Sequence, residues 1–503
     1  MPSSLVRIGC LLLATTPAYA QFGNEWIFVG KTGSDIYAFV DSASGTVVSG
    51  TSIQVRNIRG AVFADLGQNV YVGNAAPVFS LTGISRAQWN GTTATWSTFY
   101  HTPNSVYYIG LDRDRKRLWL LTNVLTTTAL DRQLLCLDVD TASATYGQLL
   151  AQTTTLATAF RERWGLSPSG NLAAVPRGQV GANLMEIVDT NPSSPTFLQV
   201  TTAVPLSATS PGSGYVVGAT IAGDDQYAYV LVPGIAPYLG VLHIASQSWL
   251  DFDPAPGPQH LMLPPMTPTA LALAPDASYA VITAYGGVAR RVVIDYVTPD
   301  QSTVTSVVTG MTAGSSDSPS VSFDSTRIAF TNSFQLLAVD AATGTVLQSA
   351  AGTGGISTAW QDLRPAATYT LYGVGCAGAL GVPTMTAALA SPTPKLGRSF
   401  AVTIDQLATG IALVGFGFSN TLYSGLPLPL PLDSLGMPGC SLLASPDILT
   451  PVIGLPTASW SMSIPNTLTL LGLPFFNQAF ALDATANALG IATSNAGAGV
   501  LGV

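Results

Sequence analysis

The chain has 503 residues, of which 49 are Gly and 34 are Pro, and 9% are charged against 47% hydrophobic. Turn formers at that density exclude a fold dominated by long helices, and low charge with high apolar content excludes a disordered chain. With 19 basic and 27 acidic residues the net charge is −8, and no basic stripe is present to neutralise a phosphate backbone, which excludes nucleic acid as a partner.

The first twenty residues, MPSSLVRIGCLLLATTPAYA, place Arg7 ahead of a short apolar run and end in Ala18-Tyr19-Ala20, the small-x-small pattern of a cleavage site. Residues 1–20 are therefore expected to be a signal peptide, with Gln21 as the mature N-terminus. The run from Ile8 to Ala14 is far shorter than the roughly 20 residues of a spanning helix. Most of that run follows Cys10, which argues against lipidation. No later segment reaches about 18 uninterrupted apolar residues, so no transmembrane segment is expected in the mature chain. Its place is outside the cytoplasm: secreted, periplasmic or at the cell surface.

From Gly60 onward an apolar strand, a polar turn and a second apolar strand recur six times: GAVFADLGQNVYVG, YIGLDRDRKRLWLL, WGLSPSGNLAAV, GATIAGDDQYAYVLV, LALAPDASYAVITA and SVSFDSTRIAFTN. The turns align at Leu66, Asp114, Ser169, Asp224, Asp276 and Asp324, separated by 48, 55, 55, 52 and 48 residues. A period near 50 with several strands per unit is the signature of propeller blades. The N-terminal stretch from Glu25 has the later strands of a unit without its first, and ISTAWQDL from Ile356 supplies the missing one. Seven blades are expected over residues 21–365, with one assembled from both ends of that region so that no edge is left open; six or eight is the alternative count.

The stretches APDASYAVITA, SFDSTRIAFTN and AVDAATGTVLQS resemble the degenerate repeats of YVTN/lactonase-like and WD40-like β-propellers. That resemblance covers roughly residues 22–365 and implies the fold; such propellers include enzymes, ligand binders and scaffolds. VDSASGTV and VDAATGTV also resemble the repeats of quinoprotein propellers, but the Trp that closes those repeats is replaced here by VSG and LQS, so quinone binding is not expected.

After Arg364-Pro365 the repeat stops and the composition shifts further toward Gly, Ala, Leu and Pro. Short apolar runs such as FAVTI, IALVGFGF and ASWSMSIP, divided by turn residues, read as a small antiparallel β-sandwich over residues 366–503. Three cysteines remain beyond the leader. Cys376 and Cys440 both sit in Gly/Pro turn contexts and are expected to form a disulfide, while Cys136, in the apolar LLCLDV, is expected to be a buried small hydrophobe. In order, YGVGCAG, LPLPLDSLGMPGCSLL, SIPN, QAFALD, ANALG and SNA resemble a C-terminal module of secreted planctomycete proteins. Cys376 and Cys440 match that module's cysteine positions, and its recurrence at the ends of exported proteins implies sorting, surface attachment or structural completion.

Catalytic and cofactor signatures are sparse. The sequence has no GxSxG elbow, HExxH, CxxC, P-loop or EF-hand loop. GVGCAG matches GxGxxG, but Pro383 follows where a helix would have to present its N-terminus to a pyrophosphate. Asp112/Asp114, Asp138/Asp140 and Asp251/Asp253 have spacings that suit a hard cation, yet they fall in turns where Asp caps its own backbone, so neither metal nor resident cofactor is expected. Of the three histidines, His243 reads as a satisfied strand residue, and His101 and His260 read as exposed loop polarity.

Ligands in propellers bind where the starts of the inner strands converge. Repeat alignment nominates Arg59, Tyr107, Arg161, Glu162, Asp317, Trp360 and Asp362 for that mouth. Trp119, Trp164 and Trp360 are expected to pack between blades, and Arg161 or Arg163 with Glu162 to stitch the ring. The expected function is a non-catalytic binding or scaffold protein whose partner is a protein, glycan or small molecule. The alternatives are a lactonase-like propeller hydrolase and a purely structural surface protein.

Overall fold

In the computed structural model the described residues are 25–502, except 31–35, 53–57, 65–66, 75–82, 113–114, 126–129, 155, 157–163, 178–183, 207–215, 223–224, 254–259, 308–318, 332–334, 354, 356, 362–363, 390, 466 and 468–469. Among them the regular structure is strand, apart from short 3-10 turns such as Pro299–Gln301 and Asp433–Leu435. The chain divides into two compact units, Asn24–Leu363 and Arg364–Val503.

The first unit contains seven antiparallel sheets among its described residues. Six are built from consecutive strands, and their innermost strands are Ile58–Ala64, Val106–Asp112, Gly165–Leu166, Gly218–Ile221, Pro268–Leu273 and Ser320–Val321. The remaining one, counted here as the first, draws on both ends of the unit: Ser357–Trp360 pairs antiparallel with Trp26–Gly30, matching Ile27 with Trp360 and Phe28 with Ala359. Ile36–Asp41 and Val47–Thr51 complete it. Each innermost strand packs beside the next, and the one containing Trp360 packs beside both Ser320–Val321 and Ile58–Ala64. The ring of sheets is thereby closed, the architecture of a β-propeller.

The second strand of each sheet, counted from the innermost, is buried on both faces, which explains why strands such as RLWLLTNVL read as nearly continuous apolar runs. Side chains alternate along a strand, so Leu118 and Leu120 enter the cluster shared with the second sheet while Trp119 and Leu121 enter the one shared with the fourth. Every pair of neighbouring sheets encloses such a cluster. Glycines let the inner strands close up: a Cβ on Gly165 would lie 2.5 Å from Thr220 Cα, and one on Gly60 3.1 Å from Ile109 N.

The aligned turns have a common chemistry. Asp276 Oδ1 accepts from the Ser278 amide at 3.0 Å, and Asp324 Oδ1 from the Thr326 amide at 3.1 Å. The next residue in each of these turns, and after Ser169, is left-handed: Ala277 at φ 60°, Ser325 at 60° and Gly170 at 69°.

The second unit contains a five-stranded and a three-stranded antiparallel sheet. Phe400, Val402 and Ile404 of the smaller sheet share one apolar cluster with Val414, Phe475 and Ala479 of the larger. Cys376 and Cys440 are joined by a disulfide with their Cα atoms 4.8 Å apart. The pair sits in a separate cluster with Leu432, Met437 and Ala492.

Candidate functional site

The innermost strands of the second, third and sixth sheets share an irregularity near their starts. Register shifts occur between Ile58 and Gly60, between Tyr107 and Ile109, and between Pro268 and Ala270. The extra residues are Arg59, Tyr108 and Thr269. Bulges of this kind re-aim a side chain and are over-represented beside binding sites. Arg59 is half-buried, and its Nε is buried with no hydrogen-bond partner. Tyr108 has a left-handed backbone at φ 55°, which is uncommon for an aromatic residue. Thr269 Oγ lies 3.3 Å from Thr283 Oγ.

Of the nominated mouth residues, Arg59 stands at such a bulge and Tyr107 lies in Val106–Asp112 beside another. The irregularity makes the neighbouring Tyr108 the displaced residue, which repeat alignment did not select. Trp360 is 3% exposed; it donates its indole N–H to Ser320 O at 3.1 Å and lies under the Arg327 guanidinium, 5.0 Å from the ring centre. Its contacts are those of a side chain packed between sheets. Arg161, Glu162, Asp317 and Asp362 lie outside the described residues, as does Arg163.

Polar contacts cross every seam of the ring. Gln361 Nε2 donates to Gly67 O between the first and second sheets, and Arg86 donates to the Tyr146 hydroxyl between the second and third. Arg115 binds the carboxylate of Asp112 in its own sheet at 2.9 Å and reaches Asn171 in the fourth at 2.8 Å. Ser169 donates to Asp225, and the Tyr229 and Tyr296 hydroxyls meet across the next seam. The Tyr279 hydroxyl donates to Ser325 O at 2.8 Å, and Arg327 pairs with Glu25. Sequence reasoning assigned stitching to the arginines around Glu162, which lie outside the described residues; among the described residues Arg86, Arg115 and Arg327 stitch three of the seams.

The paired acids are turn residues. Asp138 Oδ1 accepts from the Asp140 amide at 2.8 Å, and Asp140 takes Lys116 Nζ at 2.8 Å. The lysine hydrogen bond holds the Asp140 carboxyl below the ordinary value. Asp251 Oδ1 accepts from the Asp253 amide at 3.2 Å; Asp114 lies outside the described residues. Cys136 is fully buried, and burial pushes its thiol up to about 12. His243 Nδ1 is hydrogen-bonded to Ser246 Oγ at 2.7 Å, and His101 is exposed at the end of Ala94–His101.

His260 is not the exposed loop residue expected. It is 7% exposed, its ring stacks on Tyr238 at 4.4 Å and 7°, and it meets the edge of Trp249 at 5.1 Å. Gly240 makes the room, since a Cβ there would lie 3.0 Å from Trp249 and 3.4 Å from His260 Nδ1. The signal missed was that YLGVLHIASQSWL puts Gly240 two residues after Tyr238, and only the fold brings His260 over that gap.

No family model and no curated protein matches the chain. Solved structures similar to it include the Pseudomonas aeruginosa periplasmic gluconolactonase PpgL, at 15% identity over 68% of this chain and 100% of that one, with a TM-score of 0.48. A 6-phosphogluconolactonase so described only by assignment, from Bacteroides uniformis, matches at 13% identity over 67% and 100% with 0.48. Kuenenia stuttgartiensis hydrazine synthase matches at 14% over 61% and 90% with 0.46. Likenesses this distant carry no argument about chemistry.

Proposed function

We propose that the chain is an exported seven-bladed β-propeller, residues 21–365 after a signal peptide of residues 1–20, followed by a β-sandwich over residues 366–503. It acts as a non-catalytic binding or scaffold protein in the extracellular space or at the cell envelope. Its ligand, a protein, glycan or small molecule, docks at the entries of the inner strands. The seven sheets are its blades, and the C-terminal module serves in sorting, surface attachment or structural completion, as its resemblance to modules of exported planctomycete proteins implies.

The observation that carries this reading is the trio of bulges near the starts of inner strands, at Arg59, Tyr108 and Thr269, where the buried Arg59 Nε has no hydrogen-bond partner. A buried donor without an acceptor is costly, and a ligand carboxylate, phosphate or hydroxyl would satisfy it. The acids described above are committed to turns and seams, which favours binding over acid-base catalysis.

The test is a thermal-shift screen of the mature chain against sugar acids, lactones, glycans, calcium and short peptides, because a ligand selective for the native state raises apparent stability. A shift that Arg59→Ala abolishes supports the entry site. No shift with any class, or a shift that Arg59→Ala leaves unchanged, overturns it. Lactone hydrolysis that Glu162→Ala abolishes in a folded protein would replace binding with the hydrolase.

A further inference from the structure

The fifth sheet departs from the others on its outer side. Its third strand, Tyr238–His243, pairs with two short segments instead of one long strand: Ser248–Trp249 at one end, with Leu242 opposite Trp249, and Leu261–Met262 at the other, with Tyr238 opposite Met262. The second of these has few backbone bonds. One is the Leu263 amide to Pro237 O at 2.9 Å. What immediately precedes it in the chain is His260, whose two ring nitrogens are buried with no hydrogen-bond partner.

We propose that His260 is a proton-operated latch: in its neutral form it packs between Tyr238 and Trp249 and holds Leu261–Met262 on the sheet, and taking up one proton releases that strand. A neutral imidazole tolerates an aromatic box, although one N–H is left unsatisfied there. An imidazolium carries two N–H donors and a full charge, and the box offers it no acceptor. The strand Tyr238–His243 contributes Tyr238, whose hydroxyl burial pushes up to about 12 and which therefore stays neutral. Ser248–Trp249 contributes no titratable group, and Trp249 itself donates to Pro205 O at 3.1 Å in Val200–Pro205, which also has none. The nearest acids in the chain, Asp251 and Asp253, are exposed. Residues 254–259, Pro-Ala-Pro-Gly-Pro-Gln, contain no counter-charge by sequence.

Burial pulls the His260 imidazole down to about 4 from the ordinary 6.5. Because the closed form resists the proton and the released form accepts it at the ordinary value, closure is at full strength above pH 6.5. It weakens as pH falls and reaches its floor near pH 4, by roughly tenfold per pH unit in that window.

Hydrogen exchange of the full chain, read by mass spectrometry on peptides spanning residues 250–266 and corrected for the intrinsic pH dependence, tests the latch. The wild type should lose protection there by at least tenfold between pH 6.5 and 4, while peptides from the other sheets hold theirs. His260→Phe keeps an aromatic ring in the box without a proton site and should flatten the profile. Equal loss in wild type and His260→Phe, or none in the wild type, overturns the proposal. Should His260→Phe fail to fold, an NMR titration of the His260 ring decides: a resonance still neutral at pH 5 supports the latch, and one titrating near 6.5 ends it.

Discussion

The indole N–H of Trp360 donates to the carbonyl of Ser320 across 3.1 Å and ties the closing strand of the ring to the seventh sheet. Trp164 makes the equivalent bond to Tyr108 O, also at 3.1 Å, one seam between the third and fourth sheets. Trp360→Phe keeps an aromatic ring but deletes the indole N–H that Ser320 O accepts and shrinks the ring beneath Arg327. The expected cost is about 1–3 kcal/mol, read by urea denaturation with no change in the denaturant slope.

Gly170 tests the turn chemistry. Its φ is 69°, and a Cβ there would lie 2.4 Å from the Asp112 carboxyl carbon, in the carboxylate that Arg115 holds. Gly170→Ala should cost about 2 kcal/mol or more, since left-handed strain and overpacking add. Gly91 is also left-handed, at φ 90°, but has open space around it. Gly91→Ala should therefore cost only about 1 kcal/mol, and equal melting points for the two variants would contradict the contact.

Asp324 should make the first unit acid-sensitive. Burial alone would raise its carboxyl, but hydrogen bonds from Ser322 and Thr326 and the charge of Arg327 outweigh it and hold the group below the ordinary 3.8. A carboxyl lowered in the folded state contributes stability above its unfolded value and loses it as pH falls through the folded one. Asp324→Asn should be less stable than wild type at pH 7, with the gap closing below pH 3.8; a gap independent of pH contradicts this.

The Cys376–Cys440 bridge spans 64 residues of sequence. Constraining a loop of that length stabilises the native state by about 4 kcal/mol in the chain-entropy account. Replacing both cysteines by Ser should raise hydrogen exchange throughout residues 366–503, and unchanged exchange there would show that the bridge is dispensable. Cys136 should behave oppositely, resisting thiol reagents at pH 8 in the native protein and reacting only after unfolding, because a buried thiol held near 12 supplies almost no thiolate.

The strand-turn-strand rhythm was legible because each turn is local: Asp276 and Asp324 bond to amides two residues on, and their chemistry is written in adjacent letters. The pairing of Trp26–Gly30 with Ser357–Trp360 was also legible, since an incomplete unit at each end of one repeat points to the other. The bridge between Cys376 and Cys440 followed from turn context and a module resemblance. The seam partners were not legible. Arg327 meets Glu25 across a separation of 302 residues, and nothing in either local sequence marks the other. Nor could alignment find the bulges, because one extra residue at Arg59, Tyr108 or Thr269 changes register without changing composition. His260 was misread for a related reason: its loop is polar in sequence, while its burial depends on the gap left by Gly240.

The account rests on a ring closed by a strand from the far end of the first unit, and truncation tests that most directly. Thermal unfolding is measured for two chains beginning at Gln21, one ending at Pro365 and one at Gly355, which lacks Ser357–Trp360. The account predicts a single cooperative transition for the longer chain and a broad or absent one for the shorter, whose first and seventh sheets lose their shared edge. Equal, cooperative transitions in both would contradict a closed ring.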